Sequence, residues 1–172
     1  MVSCGSMKRN GRRDAWIVGV VMFFIAADLS IDLRWVLNHD RLPQIASTDW
    51  IGAMYRTYAV ADRGYYDRVG MFELALETIN VSVTQVLNFA LLAAIFLRSG
   101  WRYPLQLALG SYVAYSVLID YWVAAASGYP NMPQHTPYAF FLFYAASSPW
   151  LLGHLYLAYD AARAVNARLR TA

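Results

Sequence analysis

The sequence holds one cysteine, Cys4, in a polar N-terminal tail, and three scattered histidines. One thiol can build neither a disulfide framework nor a thiolate metal site, and the histidines offer no ligand spacing, so no metal or other cofactor is expected. Charge is also scarce: Asp, Glu, Lys and Arg make up 15% of 172 residues. The net charge of +3 could suggest nucleic acid, but the cations gather at the termini and in one short loop, where they read as membrane-topology signals. No nucleic-acid partner is expected. There is no internal repeat and no low-complexity stretch. What remains is apolar: 59% of residues are hydrophobic and 16% aromatic, too much for an ordinary soluble domain of this length. One all-α membrane domain spanning residues 1–172 is expected, with the lipid bilayer as its partner.

Four stretches are long and apolar enough to cross about 30 Å of hydrocarbon, which takes roughly 20 helical residues each. They are 15–37, 69–97, 103–127 and 138–159. Lys8, Arg9, Arg12 and Arg13 ahead of the first run imitate a secretory signal, but hydrophobicity resumes beyond Asp28 and no small-residue cleavage pattern follows. The run is therefore read as a retained span. Residues 38–68, with Pro43 and mixed aromatic and charged side chains, should lie on the membrane surface as a partly helical lid. The link 98–102 is short enough to force an antiparallel hairpin, and the proline-rich link 128–137 should be irregular.

Four spans place both termini and the Arg98 loop on one side. That side carries Lys8, Arg9, Arg12, Arg13, Arg98, Arg102, Arg163, Arg168 and Arg170, whereas Arg41, Arg56, Arg63 and Arg68 on the other are balanced by Asp40, Asp49, Asp62 and Asp67. The positive-inside rule then puts both termini in the cytoplasm, in a bacterial plasma membrane or a eukaryotic endoplasmic reticulum. Trp16 and Trp101 fall at the inner interface, and Trp35 and Trp122 at the outer one, as an aromatic belt.

Carboxylates at membrane depth cost several kcal/mol unless they meet a cavity, water or a partner. Asp28 and Asp32 on span one are four residues apart, as are Glu73 and Glu77 on span two, so each pair shares a helical face. Asp120 lies near the far end of span three. Chain direction brings all five to the half of the membrane away from the termini, in one expected pocket. Arg34 could pair with one of them, and His154 lies deeper, as a helix-packing residue. Crowded, poorly solvated carboxyls tend to hold protons, and when ionised they bind cations. Ser147, Pro149 and Trp150 at mid-depth on span four add a hydroxyl, a helix-distorting residue and a ring face for positive charge.

The motifs Tyr58-Ala59-Val60-Ala61-Asp62 with Tyr65, Leu76-Glu77-Thr78-Ile79, Trp150 followed by Asp160-Ala161, and Ile31-Asp32-Leu33 together resemble the EXPERA superfamily, over about residues 23–165. That group holds the emopamil-binding protein, a sterol Δ8–Δ7 isomerase, and the sigma-2 receptor. The resemblance implies a bundle opening laterally to lipid, a hydrophobic cavity for a sterol-like ligand, and homodimers. It places the isomerase site on Asp28, Asp32, Glu77, Ser147 and Trp150, with Asp62 and Tyr65 in the lid motif. Asp28 stands where the isomerases have His, Ser147 where they have Asn, and Asp32 where they have the longer Glu.

Two functions are therefore expected as alternatives. An isomerase or cyclase would protonate an alkene of a sterol or terpenoid from Asp32 or Glu77, with Glu77 or Asp28 as base, and Trp150, Ser147, Glu73, Asp62, Tyr65 and Asp120 around the substrate. A sigma-2-like protein would instead bind a sterol, lipid or cationic amphiphile without turnover.

Overall fold

The computed structural model describes residues 11–170, so Cys4, Lys8 and Arg9 lie outside the described residues. About 80% of the described residues are helical and none of them form strands. The long helices are α1 (Gly11–Asn38), α4 (Met71–Phe96), α5 (Arg102–Ala126) and α6 (Pro137–Leu169). Short helices α2 (Leu42–Ile45) and α3 (Trp50–Tyr58) and a 3-10 turn at Arg63–Tyr65 occupy the segment connecting α1 to α4. Three helices, α1, α4 and α5, are long and apolar enough to cross a membrane, which marks a membrane protein. The fourth long helix runs on past Tyr159 to Leu169, further than an apolar run alone would carry it, because Asp160 and Ala161 are buried against neighbouring helices.

Helices α5 and α6 form the closest pair in the bundle. Gly110 makes that approach feasible: a Cβ there would stand 2.6 Å from the His154 carbonyl oxygen. Small residues at such crossings let backbones touch where lipid supplies no hydrophobic drive. The half of the bundle near the chain termini, here the proximal half, has a continuous apolar core of Ile17, Val21, Ile25, Leu91, Leu92, Ile95, Leu109, Val113 and Leu157. Its end is closed by ionic contacts. The Arg13 guanidinium donates to Asp160 Oδ1 at 2.5 Å and to the Asp160 carbonyl at 2.9 Å. Gln106 Nε2 donates to Asp160 Oδ2 at 2.9 Å, and Arg102 donates to Asp14 at 2.8 Å. The Tyr103 ring lies beneath Arg13, Arg102 and Arg168.

The distal half is built differently. The connecting segment folds back over α1, with Leu42, Ile51 and Tyr55 packed around Trp35. Trp35 is 0% exposed and its indole N–H donates to the Tyr65 carbonyl at 2.8 Å, so it is a core residue rather than the belt residue expected from its place near a helix end. Trp16, Trp101 and Trp122 are exposed. Arg34 also departs from expectation: it pairs with Asp49 of the connecting segment at 2.6 Å and stacks over Trp50, away from the buried acids.

Candidate functional site

Both α1 and α4 widen into a π-turn at the same depth, at Asp28–Asp32 and Asn80–Thr84, and the two turns lie against each other. Such turns release carbonyls from the regular helical ladder and cluster at functional sites. Hydroxyls and amides collect those carbonyls. Ser30 donates to the Ala26 carbonyl at 2.6 Å, Ser82 to the Thr78 carbonyl at 2.5 Å, and Gln85 Nε2 to the Asn80 carbonyl at 2.9 Å. Polar residues inside an apolar helix thus satisfy the backbone that they help to distort.

A hydrogen-bond chain runs through this pair of turns. Trp150 Nε1 on α6 donates to Asp28 Oδ1 at 2.9 Å, and Gln85 Nε2 donates to Asp28 Oδ2 at 2.6 Å. On α4, Asn80 Nδ2 donates to Glu77 Oε2 at 3.2 Å, and the Tyr65 hydroxyl donates to Glu77 Oε1 at 3.0 Å. Asp28 and Glu77 each accept two hydrogen bonds. Asp32, 8% exposed between them, receives no N–H or O–H from any other described residue, and its carboxyl lies within hydrogen-bonding reach of Asp28 alone. Two carboxyls can share a hydrogen bond only when one of them carries a proton.

A cavity of about 510 Å³ opens beside this chain. Asp32 and Ile31 line it from α1, Leu76, Glu77 and Asn80 from α4, Ser116 and Asp120 from α5, and Ser147 and Trp150 from α6. Met54, Tyr55, Tyr58 and Tyr65 of the connecting segment cover it. Burial holds the hydroxyls of Tyr55, Tyr58 and Tyr65 well above the ordinary tyrosine range, so they remain donors. Among the described residues no Lys, Arg or His lines this cavity. Asp28 sits behind the wall, holding Trp150 by its indole N–H.

The acids do not gather in one pocket. Asp62 and Glu73 line a second, smaller cavity of about 60 Å³ beside the first, together with Asn131 and the loop that follows α5. Asp120 is in the wall of both. Chain direction gives depth but not azimuth, so it does not separate Glu73 from the acids of the larger cavity. Asn131 Nδ2 donates to Glu73 Oε1 at 3.2 Å, and the Gly64 N–H donates to Asp62 Oδ1 at 2.7 Å. A Cβ at Gly64 would stand 2.6 Å from both Asn131 Nδ2 and Glu73 Oε1, so a side chain there would displace these two polar ends. Burial, aided by the nearby Glu73, pushes the Asp62 carboxyl up to about 6 against the opposing Gly64 hydrogen bond.

His154 is 1% exposed and lies outside both cavities, its ring 4.3 Å from that of Phe24 and its Nδ1 2.8 Å from the Trp150 carbonyl. Sequence reasoning missed Gln85, Asn80, Tyr55 and Asn131, and named Tyr58 only as part of the lid motif. Amides at 80, 85 and 88 within an otherwise apolar span were the available signal for the first two. No family model matches the chain, and no curated protein matches it.

Proposed function

We propose that this protein is a membrane isomerase or cyclase that protonates an alkene of a sterol or terpenoid and steers the resulting carbocation. The observation that carries the reading is the division among the buried acids: Asp28 and Glu77 are each held by two donors, while Asp32 has none and faces the cavity. A carboxyl held by donors is set up as a base, and one without them, beside another carboxyl, is set up as an acid.

In the proposed reaction the Asp32 O–H bond breaks and its proton bonds to one alkene carbon. The alkene π electrons form that C–H bond, leaving positive charge on the neighbouring carbon, where the Trp150 ring face stabilises it. Glu77 then takes a proton from an adjacent carbon, and the C–H electrons form the displaced double bond. If a second alkene of the substrate attacks the cation first, a C–C bond closes a ring before Glu77 acts. The Asp28 to Trp150 bond orients the ring, and Tyr65 ties the connecting segment to Glu77 as a lid. In this reading α6 is a fourth span, the termini lie in the cytoplasm with Arg12, Arg13, Arg98, Arg102, Arg163, Arg168 and Arg170, and the chain is a divergent EXPERA-like protein.

One feature favours a second reading. Three carboxyls and no basic group line the large cavity among the described residues, a wall that suits a cationic amphiphile held by Asp32 without turnover. Deuterium uptake separates the two. The purified protein in heavy water, offered lanosterol, farnesol or squalene, should place solvent deuterium on a product carbon, and Asp32→Asn should lose about 10²-fold or more of that rate. Absence of uptake by the wild type together with Asp32-dependent binding of a cationic amphiphile would leave binding alone.

A further inference from the structure

The proposed reaction leaves a proton imbalance between two acids of the large cavity. After one turnover Asp32 has lost a proton and Glu77 has gained one. The proximal half holds the apolar core of Ile25, Leu92 and Val113, with Asn88, Gln106 and His154 as buried polar groups beside it, none of them a carboxyl. The small cavity lies on the opposite, distal side. Its volume is several times the roughly 10–15 Å³ that one water needs, and Asp62, Glu73, Asp120, Ser127 and Asn131 set polar groups into an otherwise largely apolar wall. Exposed Ser127 and Pro130, just beyond the end of α5, form part of that wall.

Asp120 is the only acid in the wall of both cavities among the described residues. No described residue donates a hydrogen bond or forms an ion pair with it, unlike Asp28, Glu77, Asp62 and Glu73, each of which has a donor. The charged and titratable groups that face it are Glu77, Asp62 and Glu73, with Tyr58 and Tyr121 among the hydroxyls. The Glu73 carboxyl and the Asn131 amide, hydrogen-bonded to each other, also line the small cavity.

We infer that the small cavity is a water-filled proton channel and that Asp120, in the wall it shares with the large cavity, passes protons between that water and the reacting acids. The inference rests on the acid chemistry proposed above. Glu77 gives its gained proton to the Asp120 carboxylate, and Asp120 releases it to water in the small cavity. A proton from the same water returns through Asp120 to the Asp32 carboxylate. One proton leaves and one arrives in each cycle, so the site recovers its starting charge. Without this route the proton on Glu77 returns directly to Asp32, and the next product molecule carries a hydrogen that came from substrate.

The fraction of product molecules carrying solvent deuterium reads this route separately from the rate. The intact protein in heavy water, given whichever of lanosterol, farnesol and squalene the wild type converts, should yield product that is almost fully labelled. Asp120→Asn removes the titrating group. Ala124→Val fills part of the small cavity from a position outside the large one. In both variants the labelled fraction should fall to less than half, while the fall in turnover is smaller. A labelled fraction equal to the wild type in either variant overturns the channel. No conversion of any probe by the wild type overturns the proposed reaction and the channel with it, whereas wild-type labelling with unchanged labelling in the variants sinks the channel alone.

Discussion

The two ends of this bundle use charge in opposite ways. At the proximal end every acid named above has a cation: Asp14 pairs with Arg102 and Asp160 with Arg13, each across helices far apart in sequence. At the distal end Asp28, Asp32, Glu77 and Asp120 have no cation as a partner among the described residues, and the nearby Arg34 is bound to Asp49 instead. Paired charges next to an apolar core close a structure. Unpaired acids next to a cavity store a proton or await a cation, at a cost that stability alone does not explain. The comparison therefore separates acids that hold the fold from acids that are available for chemistry.

Removing an acid should have opposite consequences at the two ends. Asp160→Ala leaves Arg13 without its carboxylate and removes one of the two acceptors of Gln106, which should cost about 1–3 kcal/mol. The thermal midpoint of the detergent-solubilised protein should drop clearly. Asp32→Asn should leave the midpoint unchanged or raise it, since it removes an acid that no cation compensates. Equal destabilisation by both variants would erase the distinction.

A smaller effect is expected within the distal end. Trp150→Phe keeps an aromatic face on the cavity but loses the indole N–H that Asp28 accepts. Turnover should fall about tenfold, equivalent to about 1.4 kcal/mol, with little change in stability. Unaltered turnover would remove Asp28 as the group that positions the ring.

The mildest expected change is in pH response. The Asp62 carboxyl is pushed up to about 6, above its ordinary value, so the folded protein holds that proton more tightly than the unfolded chain does. The resulting stabilisation is complete below the ordinary carboxyl range and is lost as pH rises through about 6. Amide hydrogen exchange in residues 61–66, after correction for intrinsic rates, should therefore show less protection at pH 7.5 than at pH 5. Asp62→Asn should flatten the trend, and persistence of the full trend in that variant would assign it to another group.

Much of the distal site was legible in the sequence because buried carboxylates stand out against an apolar background. Asp32, Glu77, Ser147 and Trp150 do come to one cavity, and their depth followed from counting along each span. What was not legible depends on rotation and backbone form. The π-turns at Asp28–Asp32 and Asn80–Thr84 leave no hydrophobic-period signature, so the role of Gln85 in joining them was hidden. Depth alone could not tell that Glu73 faces a different cavity from Glu77. Trp35 had the position of an interfacial residue, and only the fold of the connecting segment over it makes it a core residue. The pairing of Arg13 with Asp160 spans 147 positions and has no local motif.

The most direct test is deuterium incorporation by purified wild-type protein and Asp32→Asn in heavy water, with lanosterol, farnesol and squalene as probes and folding checked by thermal midpoint. Acid catalysis at Asp32 predicts solvent deuterium on a product carbon with the wild type and about 10²-fold less or none with a fully folded Asp32→Asn. Equal incorporation by the two proteins, or none by the wild type with any probe, would contradict it.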